Sequence, residues 1–138
     1  KLYERMNLMS EHLYIKDFKT LKVWQKANAL EQEIGMLIKD FPKHEQYRLV
    51  DQLIRASRSI GANLAEGNSQ LYINKEINFG SNAIGSAGEV RSHLITALQN
   101  NYISQEQYDI LDRKTIEVIK MLYGYVKKLK SRSEDNFD

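Results

Sequence analysis

The sequence predicts an all-α protein, an antiparallel up-down-up-down four-helix bundle. Four long segments carry apolar residues spaced three and four apart, which is the spacing of a helix face that packs into a core. Helix breakers are scarce, with one proline and seven glycines in 138 residues. No strand-like alternation separates the segments. We therefore expect one bundle domain over residues 17–132, between a flexible N-terminal segment (1–16) and an acidic flexible tail (133–138).

The first two segments are predicted at about residues 20–41 and 45–66. Asp17 or Thr20 is expected to cap the first, and Pro42 to end it, because proline disfavours helical geometry in the residue before it. Gly67 is expected to end the second as a C′ residue with a positive φ. Their core stripes are Leu21, Trp24, Ala27, Leu30, Ile34, Leu37 and Phe41, then Leu49, Leu53, Ala56, Ile60 and Leu64.

The third and fourth segments are predicted at about residues 74–99 and 104–131. Small residues crowd positions 80–88 of the third segment, and we expect them, like Gly35 in the first, to permit close approach of a neighbouring helix. Ser104 and Gln107 fit a capping box at the start of the fourth. Tyr123 and Tyr125 point to different faces, so at least one is expected to lie outside the bundle core.

The sequence offers little for catalysis. The absence of cysteine excludes a disulfide scaffold, a Cys-ligated zinc site and thiol catalysis. Glu89 and His93, four apart, are the nearest approach to a metal-binding pair, and such a single pair is more typical of a hydrogen-bonded couple. No serine lies in a GxSxG elbow, and no Gly-rich phosphate loop is present. We therefore expect no enzyme activity, no metal site and no cofactor.

The charge is unevenly distributed although the net charge is only +2. Residues 113–132 contain seven basic residues and one acidic residue. Such a cluster is typical of a protein with an anionic partner. Alternatively, the lysines are solvated and complement the dipole at the end of the last helix. No apolar run is long enough to span a membrane, and no signal peptide is recognisable, so we expect a cytoplasmic protein without a membrane partner.

Several linked motifs resemble one known family. They are Phe18-x-x-Leu21-x-Val23-Trp24-Gln25-Lys26-Ala27, Phe41-Pro42-x-x-Glu45-x-Tyr47-x-Leu49, Gln52-x-x-Arg55-Ala56-x-x-Ser59-Ile60-x-x-Asn63-x-Ala65-Glu66-Gly67 and Phe79-x-x-x-Ala83-x-Gly85-Ser86-x-x-Glu89. This pattern is similar to that of the bacterial proteins encoded in intervening sequences of 23S ribosomal RNA genes. The chain departs from it at Ile54 and Gln70, where the family usually has arginine, and at Gly61, where it usually has proline.

The resemblance implies an up-and-down bundle that assembles into a ring-like homopentamer. The family is distantly similar to the accessory variability determinant of diversity-generating retroelements, which binds nucleic acid and a reverse transcriptase. We therefore expect an oligomeric protein that binds RNA or DNA through basic residues, or alternatively an accessory subunit that binds a protein such as a reverse transcriptase. The candidate phosphate-binding residues are Arg48, Arg55, Arg58, Lys120, Lys127, Lys128 and Lys130. The candidate structural or interface residues are Trp24, Asn63, Glu66, Gly67, Gly85, Ser86 and Glu89.

Overall fold

The computed structural model describes residues 16–135, and the regular secondary structure in this part of the chain is all helical, without a strand. Its four long helices are α1 (Lys22–Leu37), α2 (Leu49–Asn68), α3 (Ile73–Gln99) and α4 (Gln105–Asp135). Single-turn 3-10 helices occupy Phe18–Thr20, Ile38–Asp40 and Lys43–Glu45. The helical fold predicted from the apolar spacing is confirmed. The predicted flexible N-terminal segment lies outside the described residues except for Lys16.

One hydrophobic core joins all four helices. The helix α3 packs against both α2 and α4, and α1 packs against the same two neighbours. Most predicted stripe residues are buried, whereas Leu21, Trp24 and Leu37 lie half-buried at its edge. None of the helices described between residues 16 and 135 has the length and apolarity needed to cross a membrane.

Several helix ends differ from the prediction. The helix α1 stops at Leu37, and the chain passes through a 3-10 turn to Phe41, whose ψ of 152° is extended, as expected before proline. Asp17 caps the first 3-10 helix, not α1, since its carboxylate accepts the Lys19 amide at 3.0 Å. The helix α4 continues to Asp135, four residues past its predicted end and into the predicted flexible tail.

The capping box at the start of α4 is confirmed. The hydroxyl of Ser104 accepts the backbone N–H of Gln107 at 3.0 Å, and the Gln107 side chain accepts the backbone N–H of Ser104 at 2.8 Å. These reciprocal bonds satisfy two backbone donors that the helix itself leaves unpaired, and they fix where α4 begins.

The prediction for Gly67 is wrong. The helix α2 runs through Gly67 to Asn68, and no glycine in the described range has a positive φ. A Cβ atom at Gly67 would lie 2.7 Å from the Cβ of Phe79 on α3, closer than atoms can pack. The glycine is therefore needed for the close approach of α3 to α2 and not for a left-handed turn.

The expected role of the small residues on α3 holds at one glycine and fails at two. A Cβ at Gly80 would lie 2.7 Å from Cγ2 of Val126 on α4, so this glycine does permit close packing. A Cβ at Gly85 or Gly88 would meet no neighbouring atom within 4 Å, and the same is true of Gly35 on α1. The prediction of close approach at these three positions is wrong.

Alanine substitutions separate the glycines that permit packing from those that do not. Gly67→Ala is expected to lower the free energy of unfolding by about 1–3 kcal/mol, because Phe79 or the helix axis must shift. Gly85→Ala is expected to raise it by about 0.5–1 kcal/mol, because alanine is the better helix former and has room there. Urea unfolding followed by circular dichroism measures both values. Equal effects of the two variants would contradict the assigned role of Gly67.

Candidate functional site

The exposed basic residues of α4 form the most strongly charged surface among the candidates. Lys120, Lys127, Lys128 and Lys130 are all exposed. Within the described range, no carboxylate lies within 4 Å of their ammonium groups. Arg113 is also exposed, and its position seven residues before Lys120 places Arg113, Lys120 and Lys127 in one row. Successive charges in this row lie about 10 Å apart along the helix. We call these five residues the α4 basic face.

The three candidate arginines do not extend this surface. Arg48 immediately precedes α2, so it does not lie on one helix face with Arg55 and Arg58. Arg55 donates to Asp51 at 3.0 Å, and Nε of Arg58 lies 4.0 Å from the Glu31 carboxylate. The charges of Arg55 and Arg58 are thus partly neutralised on α2, away from the lysines of α4.

Trp24 serves packing at the start of α1. Its ring meets the Phe18 ring edge-on, with centroids 5.0 Å apart. A Cβ at Gly61 on α2 would lie 3.3 Å from the Trp24 Nε1 atom, so the glycine makes room for the indole. The helix α2 runs without interruption through Gly61.

Asn63 and Ser86 belong to one hydrogen-bonded chain between α2 and α3. The Asn63 amide donates to the carbonyl and hydroxyl oxygens of Ser59 at 2.8 and 2.9 Å. The Ser59 hydroxyl lies 2.8 Å from that of Ser86 on α3. No hydrogen bond links Asn63 to Glu66 among the described residues, and the Glu66 side chain is exposed.

The Glu89–His93 pair is looser than expected. The His93 Nε2 atom lies 4.0 Å from the Glu89 carboxylate, beyond hydrogen-bond distance, and Glu89 is largely exposed. No third histidine, cysteine, aspartate or glutamate completes a metal-binding group with them in the part of the chain that the structure describes.

Sequence reasoning missed a buried polar centre at Glu76 on α3. This carboxylate is 3% exposed and accepts hydrogen bonds from Lys16 Nζ at 3.2 Å, from Asn68 Nδ2 at 3.4 Å and from the Tyr125 hydroxyl. These donors come from the segment before α1, from α2 and from α4. Glu76 lies four residues before the buried Gly80 and so occupies the core stripe of α3. That position is the signal that could have revealed it.

The environment of Tyr125 favours its neutral form. Burial of the ring is the main reason that the pKa of its hydroxyl lies well above the usual value, and the hydrogen bond to Glu76 adds to the increase. Asn68 and Arg132 act in the opposite direction but are outweighed. Tyr123, two residues earlier, is 58% exposed, which confirms that one of these tyrosines lies outside the core.

Large apolar side chains are exposed at several separate places. Leu71 and Tyr72, in the turn between α2 and α3, are 93% and 67% exposed. The others are Met36, Tyr47, Ile95, Ile110 and Tyr123. Single exposed apolar side chains are normal on a monomer, whereas adjacent ones indicate a contact surface, so Leu71 and Tyr72 are the strongest candidates for contact with another chain.

Removing the Tyr125 hydroxyl tests the Glu76 centre through its dependence on pH. Tyr125→Phe is expected to lower the free energy of unfolding by about 1.5–3 kcal/mol at neutral pH, because a buried carboxylate loses a donor. Since the folded-state pKa is raised, the stabilisation from Tyr125 is complete below about pH 10 and is lost as pH rises above it. The difference between wild type and variant should therefore shrink in alkaline solution. Tyr123→Phe is the control, and an equal loss in both variants would contradict the assignment.

The comparisons with known proteins agree with the fold. The chain is 26% identical to a protein of unknown function from the S23 ribosomal protein family of Bacteroides thetaiotaomicron, with a TM-score of 0.71. The match covers 76% of this chain and 95% of that one. No curated protein matches the chain. The family model described as "23S rRNA-intervening sequence protein" matches residues 19–124, a description that names no enzymatic activity. The chain therefore belongs to the family of 23S rRNA-intervening sequence proteins.

Proposed function

We propose that this protein is a non-enzymatic, cytoplasmic, oligomeric bundle that binds RNA or DNA through phosphate contacts of the α4 basic face. The observation that carries the proposal is the set of exposed lysines at positions 120, 127, 128 and 130, which have no carboxylate partner among the described residues. Unpaired lysines attract phosphates and release counterions without reading sequence. Binding is therefore expected to be strong at low salt and largely independent of sequence.

An exposed aromatic ring lies at the end of the bundle where α4 finishes. The Ser133 hydroxyl donates to Oδ1 of Asn74 at 3.1 Å, so the end of α4 contacts the start of α3. Tyr72 directly precedes α3 and is mostly exposed. An exposed tyrosine near a basic helix is suited to stacking on an unpaired base, which favours single-stranded nucleic acid as the partner.

The proposed assembly is a homo-oligomer, a ring of five subunits, each with the four helices running up-down-up-down. Contacts that support the antiparallel arrangement of α2 and α3 are Ser59 with Ser86 and Asn68 with Glu76. The exposed Leu71 and Tyr123 support self-association. A ring would repeat the α4 basic face several times, and linked sites bind one polyanion more tightly than separate sites do.

Charge removal on α4 tests nucleic-acid binding. Lys120→Gln combined with Lys127→Gln is expected to weaken binding of a fluorescent single-stranded RNA and to reduce the salt dependence of log K by roughly 0.7–0.9 for each lysine that contacts a phosphate. Fluorescence anisotropy over a range of salt concentrations measures both effects. The proposal fails if wild-type protein does not bind RNA at low salt or binds it independently of salt.

The matched control removes two lysines elsewhere. Lys39→Gln combined with Lys43→Gln changes the net charge by the same amount, and both residues are exposed on the connection between α1 and α2. This pair should leave affinity and salt dependence nearly unchanged. An equal loss in both double variants would show that net charge, and not the α4 basic face, determines binding.

The second candidate function is that of an accessory subunit that binds a protein, such as a reverse transcriptase. The observation that favours it is the group of exposed apolar side chains, because apolar and aromatic residues form the centres of protein interfaces. A protein partner that remains bound after nuclease treatment would favour this function over nucleic-acid binding.

The mass in solution tests the assembly. Light scattering is expected to give about five times the subunit mass of 16.1 kDa. Tyr123→Gln is expected to shift the mass towards the monomer, because the exposed ring is our candidate interface anchor. Lys43→Gln is the control and should leave the mass unchanged. A monomeric wild-type protein would contradict the proposed assembly.

A further inference from the structure

A cavity of about 340 Å³ adjoins the buried Glu76 centre. Residues of α2, α3, α4 and the segment before α1 line it. Its lining includes Lys16, Asn68, Glu76, Tyr125, Lys128 and Arg132. This volume is at the lower end of the range for small-molecule sites. It exceeds the space that one ordered water occupies by roughly a factor of ten.

Two acceptor groups with spare capacity line the cavity. The Glu76 carboxylate has about four acceptor positions, and three donors from the described residues use it. Asn68 is 7% exposed, and its amide nitrogen donates to Glu76, which fixes the orientation of the amide. Among the residues that the structure describes, no group donates to the buried Oδ1 atom of Asn68. Buried acceptors are rarely left without a donor, so this atom indicates a missing N–H or O–H group.

The basic residues that line the cavity differ in whether a carboxylate compensates their charge. Lys16 is paired with Glu76 at 3.2 Å, so its charge is compensated. Lys128 and Arg132 are exposed and have no carboxylate within 4 Å in the described part of the chain. Asp17 also lines the cavity, and its carboxylate is a further acceptor that offsets part of the positive charge. The cavity therefore combines acceptor groups with two cations that have no carboxylate within 4 Å in the described part of the chain. A matching ligand has N–H or O–H donors at one end and a negative charge at the other.

We propose that this cavity binds one ribonucleoside 5′-phosphate, with the phosphate on Arg132 and Lys128 and a donor of the sugar or base on Oδ1 of Asn68. Arginine and lysine are the usual protein partners of phosphate. Ribose hydroxyls and nucleobase N–H groups supply the donors that a carboxylate or amide oxygen accepts. The volume is sufficient for a single nucleotide. The ligand is either a free nucleotide or the 5′-phosphorylated end of an RNA, since both have the same chemistry.

This site goes beyond the proposed contacts with the nucleic-acid backbone, and it shares only Lys128 with the α4 basic face. Lys120 and Lys127, which the RNA experiment replaces, do not line the cavity. Loss of RNA binding in that double variant and loss of nucleotide binding at the cavity are therefore separate results. Either proposal can fail while the other remains valid.

The experiment measures binding of the four ribonucleoside 5′-monophosphates to the full chain by calorimetry and by the shift in Tm. A saturable increase in Tm is expected, because a ligand that binds only the folded state stabilises it. Inorganic phosphate and the unphosphorylated nucleosides should bind at least about tenfold more weakly, since each makes only part of the contacts. No saturable binding of any monophosphate, or equal binding of inorganic phosphate, would overturn the proposal.

Variants locate the binding site. Arg132→Gln is expected to weaken monophosphate binding by about tenfold and to leave the nucleoside affinity unchanged. Lys43→Gln is the matched control, because Lys43 is exposed and does not line the cavity. Equal affinities of the wild type and Arg132→Gln would overturn the proposal.

A measurement on the wild type avoids any loss of folding in a variant with a changed interior. The side-chain amide resonances of Asn68 are expected to shift on addition of monophosphate, because its Oδ1 gains a donor. If saturating ligand leaves these resonances unchanged, the site is not at Asn68 and the proposal fails.

The source of the ligand follows from a comparison of two short RNAs. One RNA carries a 5′-phosphate and the other a 5′-hydroxyl group. If only the phosphorylated RNA shifts the Asn68 resonances, the ligand is the end of an RNA. Binding of free monophosphates with no response to either RNA supports the free nucleotide. A response of Asn68 to both RNAs equally would contradict the assigned phosphate contact.

Discussion

The close approach of α2 and α4 to α3 around Glu76 is the constraint on which the rest of the structure depends. Gly67 lies against Phe79, and Gly80 lies against Val126, so each helix pair meets where only a hydrogen atom fits. Between these two contacts the Glu76 carboxylate is removed from water, and its burial requires donors from every neighbouring element. Lys16, Asn68 and Tyr125 supply them. The same packing that joins the helices thus creates a polar interior at one end of the bundle.

The sequence predicted the fold well because apolar spacing and capping act over a few residues. The stripe on α2 and the reciprocal bonds of Ser104 and Gln107 are local features, and the structure has them as predicted. The prediction for Gly67 was wrong because a glycine after a helical run has two explanations, a left-handed turn or close packing. Only the position of Phe79, twelve residues later, decides between them. The prediction for Gly85 was wrong because no atom of a neighbouring helix lies close enough to require a glycine there.

At the candidate sites, too, the sequence predicts local features but not contacts between helices. Exposure of the α4 lysines follows from their spacing, and the structure agrees with it. The partial neutralisation of Arg58 by Glu31 joins two helices and has no signature in the sequence. The Glu76 centre joins three helices and the segment before them, so an acidic residue on an apolar stripe was its only signal. Long-range polar contacts of this kind are set by the packing of helices against each other, which apolar spacing does not specify.

The charges of α4 favour an anionic partner over the alternative that they complement the helix dipole. That alternative required the lysines to lie in the last turn, where the backbone carbonyls are unpaired, because the effect decays within one turn. The helix ends at Asp135, so Lys120 and Lys127 lie about four and two turns before its end. The last turn holds Arg132 together with Glu134 and Asp135, so its acidic residues outnumber its basic one, which is unfavourable for the dipole. The dipole therefore does not explain the positions of these lysines. The proposed contact with an external anion requires only that the cations be exposed and without a carboxylate partner, as Lys120 and Lys127 are among the described residues.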